Sequence, residues 1–195
     1  MAKVVVVNHV TLDGVMQAPA RPDEDTRGEF AHGGWAIPRN DDLMFVKIGE
    51  RMGDSRSFLF GRRTYEDFYA VWPERTDNPF SEALNSTRKY VASRTLAEPL
   101  PWTNSSLLSG DAADAVAKLK DQPLGNLTIF GSGELIGSLM AADLIDEYLL
   151  MIHPLVLGSG RRLFPAGQYT SLRLIDAVTT RTGVVIATYE PPATG

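Results

Sequence analysis

Three short segments of this chain carry residues suited to holding a phosphorylated ligand. The first is Leu127-Thr128-Ile129-Phe130-Gly131-Ser132-Gly133-Glu134-Leu135-Ile136, where an apolar β-rich run meets a glycine pair and an apolar helical pattern begins. Backbone N–H groups at a helix start, with the positive end of its dipole, form an anion site, and glycine lets a phosphate approach because no Cβ stands in the way. The spacing Gly-x-Gly-x-x-x-Gly is not the dinucleotide fingerprint, and a closely packed strand–helix turn would use the same residues. The second segment, Gly61-Arg62-Arg63-Thr64-Tyr65-Glu66, is a strand exit into a helix start with two guanidiniums and a hydroxyl. These suit phosphate, and they equally suit an ordinary helix N-terminus with solvated arginines. The third, Ser93-Arg94-Thr95, sets hydroxyl, guanidinium and hydroxyl in a row after another strand. That set fits an isolated phosphate such as the 2′-phosphate of NADPH, or a plain polar turn. Their coincidence at three strand exits favours the phosphate reading.

Other chemistries find little support. The chain has no cysteine, which excludes disulfides, thiolate catalysis and zinc–sulfur sites and suits the reducing cytoplasm. Its three histidines, His9, His32 and His153, lack metal-ligand spacing; His9 and His153 are expected to be packed and hydrogen-bonded on strands. Gly158-Ser159-Gly160 lacks the strand–helix context of a nucleophile elbow. A net charge of −5 argues against nucleic acid as the main partner. No apolar run approaches the roughly 18 residues of a membrane span, and no signal-peptide pattern opens the chain. A cytoplasmic protein with a small-molecule substrate is expected.

The elements that must position these residues alternate along the chain. Val4 to Val10 is a continuous apolar run, as in a strand buried on both faces. Thr11 to about Pro38 is loop-rich, and a loop of that length in a compact domain is often functional. Asn40 or Asp41 can cap a helix through Leu43, Phe45, Val46 and Met52. Ser57–Gly61 reads as a strand, Thr64–Tyr69 as a helix start, Lys89–Ser93 and Ser105–Ser109 as strands, and Ala112–Leu119 as a helix. The Leu127 strand, a helix from Ser132 to about Ala142 and a strand from Asp146 to His153 follow. Leu172–Thr180 and Val184–Glu190, joined at Arg181-Thr182-Gly183, read as a hairpin. Phe68, Tyr69 and Trp72 line a pocket or pack in the core. This order predicts one α/β domain over residues 1–195, a three-layer sandwich with a mostly parallel central sheet and a C-terminal antiparallel hairpin. Ligands of such sheets sit outside the carboxyl ends of the strands, where the three segments fall.

The order of motifs resembles the dihydrofolate reductase-like family, in its riboflavin-biosynthesis reductase branch. The resemblance runs from Asn8-His9-Val10-Thr11-Leu12-Asp13-Gly14 through the three segments to Leu144-Ile145-Asp146-Glu147-Tyr148, Pro154-Leu155-Val156-Leu157-Gly158-Ser159-Gly160 and Leu163-Phe164-Pro165. It implies NADPH as hydride donor. By it, Arg62, Arg63 and Thr64, following Gly61, would hold cofactor phosphates. Ser93, Arg94 and Thr95 would hold the adenosine 2′-phosphate. Gly131, Ser132 and Gly133, with Glu134 beside them, would hold the pyrophosphate. Asp13 and Gly14 would lie near the nicotinamide.

The same resemblance marks Asp42, with Asp41 second, as the carboxylate that holds a substrate N–H edge and helps protonate a C=N nitrogen. Both aspartates also suit a helix N-terminus. The spacing from Trp35 is longer than in true folate reductases, and Met151 stands where those enzymes carry a threonine. Both departures point away from folate itself. The expected activity is therefore NADPH-dependent reduction of a small heterocyclic (pterin- or pyrimidine-like) or imine substrate. Reduction of a ribosylamino-pyrimidine and a non-catalytic nucleotide-binding module are the alternatives. The riboflavin-type likeness also suggests a homodimer through the C-terminal sheet edge, with Leu172, Leu174, Val184 and Ile186 as its apolar surface.

Overall fold

The computed structural model describes residues 2–76, 78, 80–167 and 169–192, with the backbone alone at 54–56. Its strands are β1 (Val4–Thr11), β2 (Ser55–Gly61), β3 (Arg88–Ala92), β4 (Ser105–Leu108), β5 (Asn126–Phe130), β6 (Glu147–His153), β7 (Arg173–Thr179) and β8 (Val185–Glu190). Its helices are α1 (Asp42–Asp54), α2 (Arg62–Val71), α3 (Phe80–Ser86), α4 (Ala112–Lys120) and α5 (Gly133–Ala141), and a single 3-10 turn occupies Ile37–Arg39. The strands form a mostly parallel eight-stranded sheet in the order β4-β3-β2-β5-β1-β6-β8-β7. β2 pairs in parallel with β3 and β5, and β3 with β4. The C-terminal hairpin is antiparallel, β8 lying between β6 and β7.

The fold class expected from the sequence is the one found. Val4 to Val7 are all buried, as their unbroken apolar run requires of a strand covered on both faces. The chain sorts into two compact units. One comprises the residues up to Val5 with Gly49–Ile145, the other Val6–Ile48 with Asp146 onward.

The first unit holds β2 to β5 and α2 to α5. Asp111 caps α4, its carboxylate accepting from the Ala113 and Asp114 amides at 2.9 and 3.2 Å. The sequence reading missed α3. It has seven residues, too few for periodicity to show, and its start is set by Asn78, whose Oδ1 accepts from the Phe80 amide at 2.9 Å. Helix α2 begins at Arg62, two residues before the expected Thr64, so both arginines belong to its first turn.

The second unit is organised by the long segment after β1. Val15, Ala18, Phe30, Trp35 and Ala36 are buried together and pack against Leu155 and Leu157. Trp35 Nε1 donates to the Gln17 carbonyl at 2.7 Å. A long loop holds one shape when it buries apolar side chains of its own.

Candidate functional site

In the first unit, the carboxyl ends of three neighbouring strands meet. Gly61, the last residue of β2, is in register with Ala92, the last residue of β3, while Leu59 pairs with Ile129 of β5. The turns that follow, Arg62-Arg63-Thr64, Ser93-Arg94-Thr95 and Gly131-Ser132-Gly133, therefore leave adjacent strands at the end where such sheets bind ligands.

Two of these turns are stitched together. The Ser132 amide donates to Thr64 Oγ1 at 3.0 Å, and the Gly61 amide donates to Ser132 Oγ at 3.0 Å. Ser132 is left-handed (φ 57°), and so is Gly131 (φ 57°). A Cβ on Gly131 would sit 3.2 Å from Thr64 Cγ2, which explains a glycine there beyond its conformation. The N-termini of α2 and α5 thus open beside one another, each with first-turn amides that no helix bond uses.

The arginines are engaged on the surface. Arg62 Nη1 donates to Glu66 at 2.9 Å, and Arg63 Nη1 to Glu134 at 3.1 Å. Exposed pairs of this kind contribute little and exchange readily for a ligand. Ser93 Oγ accepts from the Thr95 and Leu96 amides at 3.1 and 3.0 Å, which fixes the turn after β3 and leaves Arg94 exposed. Phe68 packs on Phe60 and Phe130, whereas Tyr69 is half exposed beside Trp102. Lys89 was not singled out by its sequence context. It is fully buried and donates to the carbonyls of Leu84, Asn85 and Thr87 at 2.6, 3.2 and 2.8 Å, below the Trp102 ring. Burial lowers its pKa to about 8. Its three carbonyl partners sit at the end of α3, so it acts as that helix's C-terminal cap.

In the second unit the two aspartates separate sharply. Asp41 is buried; its Oδ1 accepts from the Leu43 amide at 3.0 Å, capping α1, and its Oδ2 accepts from the Arg181 amide at 3.2 Å in the β7–β8 turn. Asp42 is the first residue of α1, and its side chain is 95% exposed, 4.0 Å from Arg181 Nη2. Asp13 is tied down as well. It accepts from Thr11 Oγ1 at 2.6 Å and from the Leu157 and Gly158 amides at 3.2 and 2.8 Å. The Thr11 bond, chiefly, with the Gly158 and Leu157 amides behind it, outweighs the opposing desolvation and lowers its pKa to about 2. Gly14 makes the turn, with φ 80°.

The expected packing of His9 and His153 takes the form of a pair. His9 Nδ1 lies 2.9 Å from His153 Nε2, and Trp35 stands edge-on to His153 with centroids 5.0 Å apart. Burial, then repulsion from His153, brings His9 to about 3, while burial, then Arg39, brings His153 to about 4. Met151 is buried in β6. Two of the residues expected to form a sticky hairpin face, Val184 and Ile186, are in the core; the exposed apolar residues of β7 are Leu174 and Ile175. β8 is an interior strand between β6 and β7, and Ile186, Ala187 and Thr188 are all buried in it.

Among the described residues no cluster of histidines and carboxylates could hold a metal ion, and no helix is long and apolar enough to cross a membrane.

The chain belongs to the family of the RibD C-terminal domain, whose model matches residues 2–187. It is 30% identical to the uncharacterized protein YyaP of Bacillus subtilis (strain 168) over 187 residues, covering 92% of this chain and 90% of that protein. Among solved structures it is similar to a putative riboflavin biosynthesis protein from Shewanella sp. PV-4, with TM-score 0.72, 26% identity and coverage of 98% and 99% of the two chains. It shares its fold with dihydrofolate reductase from Enterococcus faecalis complexed with NADP(H) and RAB-propyl, with TM-score 0.60, 14% identity and coverage of 97% and 96%. The chain thus shares the fold of a known reductase.

Proposed function

We propose that this protein is an NADPH-dependent reductase of a small heterocyclic or imine-bearing substrate. The observation that carries the reading is the joining of the Gly61–Thr64 and Gly131–Gly133 turns through Ser132, beside the Ser93–Thr95 turn at the next strand exit. The donor set fits a phosphorylated dinucleotide: helix-start amides and a left-handed glycine for the pyrophosphate, and Arg94 with two hydroxyls for an isolated phosphate. Gly61, Arg62, Arg63, Thr64, Gly131, Ser132, Gly133 and Glu134 would surround the paired phosphates, and Ser93, Arg94 and Thr95 the 2′-phosphate. When bound, the reduced nicotinamide would supply hydride to a C=N carbon.

The protein's own part is to orient the substrate and supply a proton. Asp42 is the carboxylate assigned to the substrate's N–H edge, because Asp41 is already committed to capping α1 and holding the β7–β8 turn. Asp13 is assigned a supporting part, holding the Leu157–Gly158 backbone next to Gly14.

The test is steady oxidation of NADPH, followed by its absorbance, against a panel of pterins, ribosylamino-pyrimidines and cyclic imines. The Shewanella neighbour, described as a riboflavin biosynthesis protein, puts pyrimidines first in that panel. The full exposure of Asp42 favours one second reading, a binding module without chemistry. Tight NADPH binding with no oxidation across the panel selects it. We further propose that the protein is a homodimer through β7, the edge strand of the sheet.

A further inference from the structure

We propose that His9, held by His153, recognises the substrate by donating from its Nε2–H to a ring carbonyl oxygen, so that the preferred substrates are heterocyclic lactams. The inference rests on the reductase reading and narrows its substrate to rings that carry an –NH–C(=O)– edge. The position suits a residue that meets a ligand. Along β1, from Val4 to Thr11, every residue is buried except His9, which is partly exposed. His9 lies two residues before the end of β1, and His153 is the last residue of the neighbouring strand β6. Ligands of such sheets bind outside the carboxyl ends of the strands.

The histidine pair fixes how His9 presents its proton. His9 Nδ1 and His153 Nε2, 2.9 Å apart, share one hydrogen. His153 is fully buried, and its Nδ1 has no partner among the described residues. Were His9 the donor, His153 would carry its own proton on that Nδ1, a buried N–H without an acceptor, which folded proteins avoid. With His153 Nε2–H as the donor, Nδ1 keeps only an idle lone pair. Both rings then hold the Nε2–H tautomer that free histidine prefers, each set by the bond its partner makes. His9 is left with an N–H on Nε2. That nitrogen makes no hydrogen bond with any described residue and is not a buried atom, so it is open to a ligand.

Both rings are held in place and held neutral. Trp35, anchored through Nε1 to the Gln17 carbonyl at 2.7 Å, stands edge-on to His153 and limits its rotation. Burial, with each ring's charged neighbourhood behind it, keeps His9 and His153 uncharged, at pKa about 3 and about 4. A neutral imidazole N–H donates one hydrogen bond and brings no charge to attract a carboxylate or phosphate. It suits a carbonyl oxygen, as neutral histidines do where they polarise carbonyls. Asp42 has the opposite preference, because an ionised carboxylate only accepts. The two preferences together describe a ring amide. A cyclic imine without a carbonyl answers only the carboxylate.

The experiment has two arms, and neither needs turnover. Nitrogen-15 NMR of the imidazoles in the full chain at pH 7 is expected to show both rings neutral with the proton on Nε2. A His9 proton on Nδ1, or an imidazolium, overturns the proposal. The second arm is fluorescence titration with pterin and with 2-aminopteridine, which keeps the amino N–H and lacks the ring amide. Pterin is expected to bind at least about tenfold more tightly and to move the His9 Nε2 signal, since a site built to bond a polar group rejects the analogue without it. His9→Phe should erase that preference, but it strands the His153 donor. His9→Asn is therefore the second variant: its Oδ1 can accept from His153, while the shorter side chain withdraws the outward donor. It too is expected to lose the preference, at a wild-type melting temperature. His153→Phe is expected to leave His9 in a mixture of tautomers, and an unchanged His9 signal there overturns the positioning part given to His153. Equal affinities in the wild type, a preference that survives in folded His9→Asn, or failure of pterin to bind overturns the proposal. NADPH oxidation by cyclic imines as readily as by lactams keeps the reductase reading and removes His9 from it. A pterin preference lost in His9→Asn, without NADPH oxidation by any substrate, supports His9 and removes the reductase reading.

Discussion

Thr64 and Ser132, 68 residues apart, are joined by a hydrogen bond of 3.0 Å from the Ser132 amide to the Thr64 hydroxyl, which ties the turn after β2 to the turn after β5. Gly131 sits against this joint with φ 57° and no room toward Thr64. Gly131→Val is therefore expected to abolish NADPH binding. A β-branched residue is strained there by about 1–2 kcal/mol or more, and its methyls push on Thr64. Gly133→Val, in the first turn of α5, is expected to block binding with the fold intact. Thr64→Val keeps the volume but leaves the Ser132 amide without its acceptor, and should weaken NADPH binding as well as lower the melting temperature. Fluorescence titration beside thermal melts separates these effects. Wild-type affinity in a folded Gly133→Val protein would show that the glycines serve packing alone.

Cofactor choice is expected to rest on Arg94. The protein should bind NADPH at least tenfold more tightly than NADH, because a charge-assisted hydrogen bond to phosphate contributes roughly 1.5–3 kcal/mol. Arg94→Ala should remove that preference by weakening NADPH alone. Arg94 is exposed at the turn that Ser93 fixes, so the substitution should not change stability. Equal affinities for the two cofactors in the wild type would sink the assignment.

Asp41 and Asp42 should fail in different assays. Asp41→Ala removes the cap of α1 and the acceptor for the Arg181 amide, and is expected to destabilise the protein by about 0.5–2 kcal/mol in urea denaturation. Asp42→Asn should leave stability and NADPH affinity unchanged and lower turnover by roughly 10²–10⁴-fold, the usual loss when acid–base assistance is removed. Unchanged turnover in Asp42→Asn would mean that reduction here uses no helix-borne carboxylate.

The His9–His153 pair gives stability a pH dependence of definite sign. Both imidazoles are held neutral in the folded protein, with pKa about 3 and about 4, while the unfolded chain protonates them near 6.5. The unfolded state therefore binds more protons once the pH drops below about 6.5, and stability falls from there toward about pH 4. Each histidine can contribute at most about 1.4 kcal/mol per pH unit in that window. Asp13, lowered from 3.8 to about 2, keeps its contribution down to about pH 4 and loses it as the pH falls toward 2, so measurements between pH 7 and 5 report the histidines and not Asp13. Urea midpoints at pH 7, 6 and 5 should decline in the wild type and decline less in His153→Met. Parallel declines in both proteins would place the titrating groups elsewhere.

Much of this was legible in the sequence because the signals were local. The Val4–Val7 run, the glycine punctuation at Gly131 and the turn at Arg181-Thr182-Gly183 each fix an element within a few residues. The three polar turns could be picked out for the same reason: each combines a strand exit with donors in one short segment. What was not legible is set by long-range partners. Asp41 and Asp42 are adjacent and chemically identical, and part of what separates the buried cap from the exposed acid is Arg181 in a distant turn, whose amide and guanidinium both meet Asp41. The pairing of His9 with His153 spans 144 residues, and the carbonyl cage of Lys89 depends on a helix too short to show a period.

The homodimer proposal rests on other residues than those first expected. β7 is the last strand of the sheet, bonded to β8 on one side only, and nearly all its residues are exposed. Leu174 and Ile175 stand 53% and 43% exposed on it, while Val184 and Ile186, once expected to serve, are in the core. An edge strand with an open backbone ladder and adjacent apolar side chains is a template for pairing. A second copy offers the same strand, and an isologous contact closes after two subunits. The register shift between Leu174 and Asp176 and the charges of Arg173 and Asp176 limit growth beyond that closed pair, as bulges and charges do at other sheet edges. Sedimentation at micromolar concentration should therefore give a dimer. Leu174→Glu with Ile175→Glu should give a monomer of nearly unchanged melting temperature, because neither side chain is buried within one copy. A wild-type monomer, or a dimer that survives both substitutions, would remove β7 from the interface.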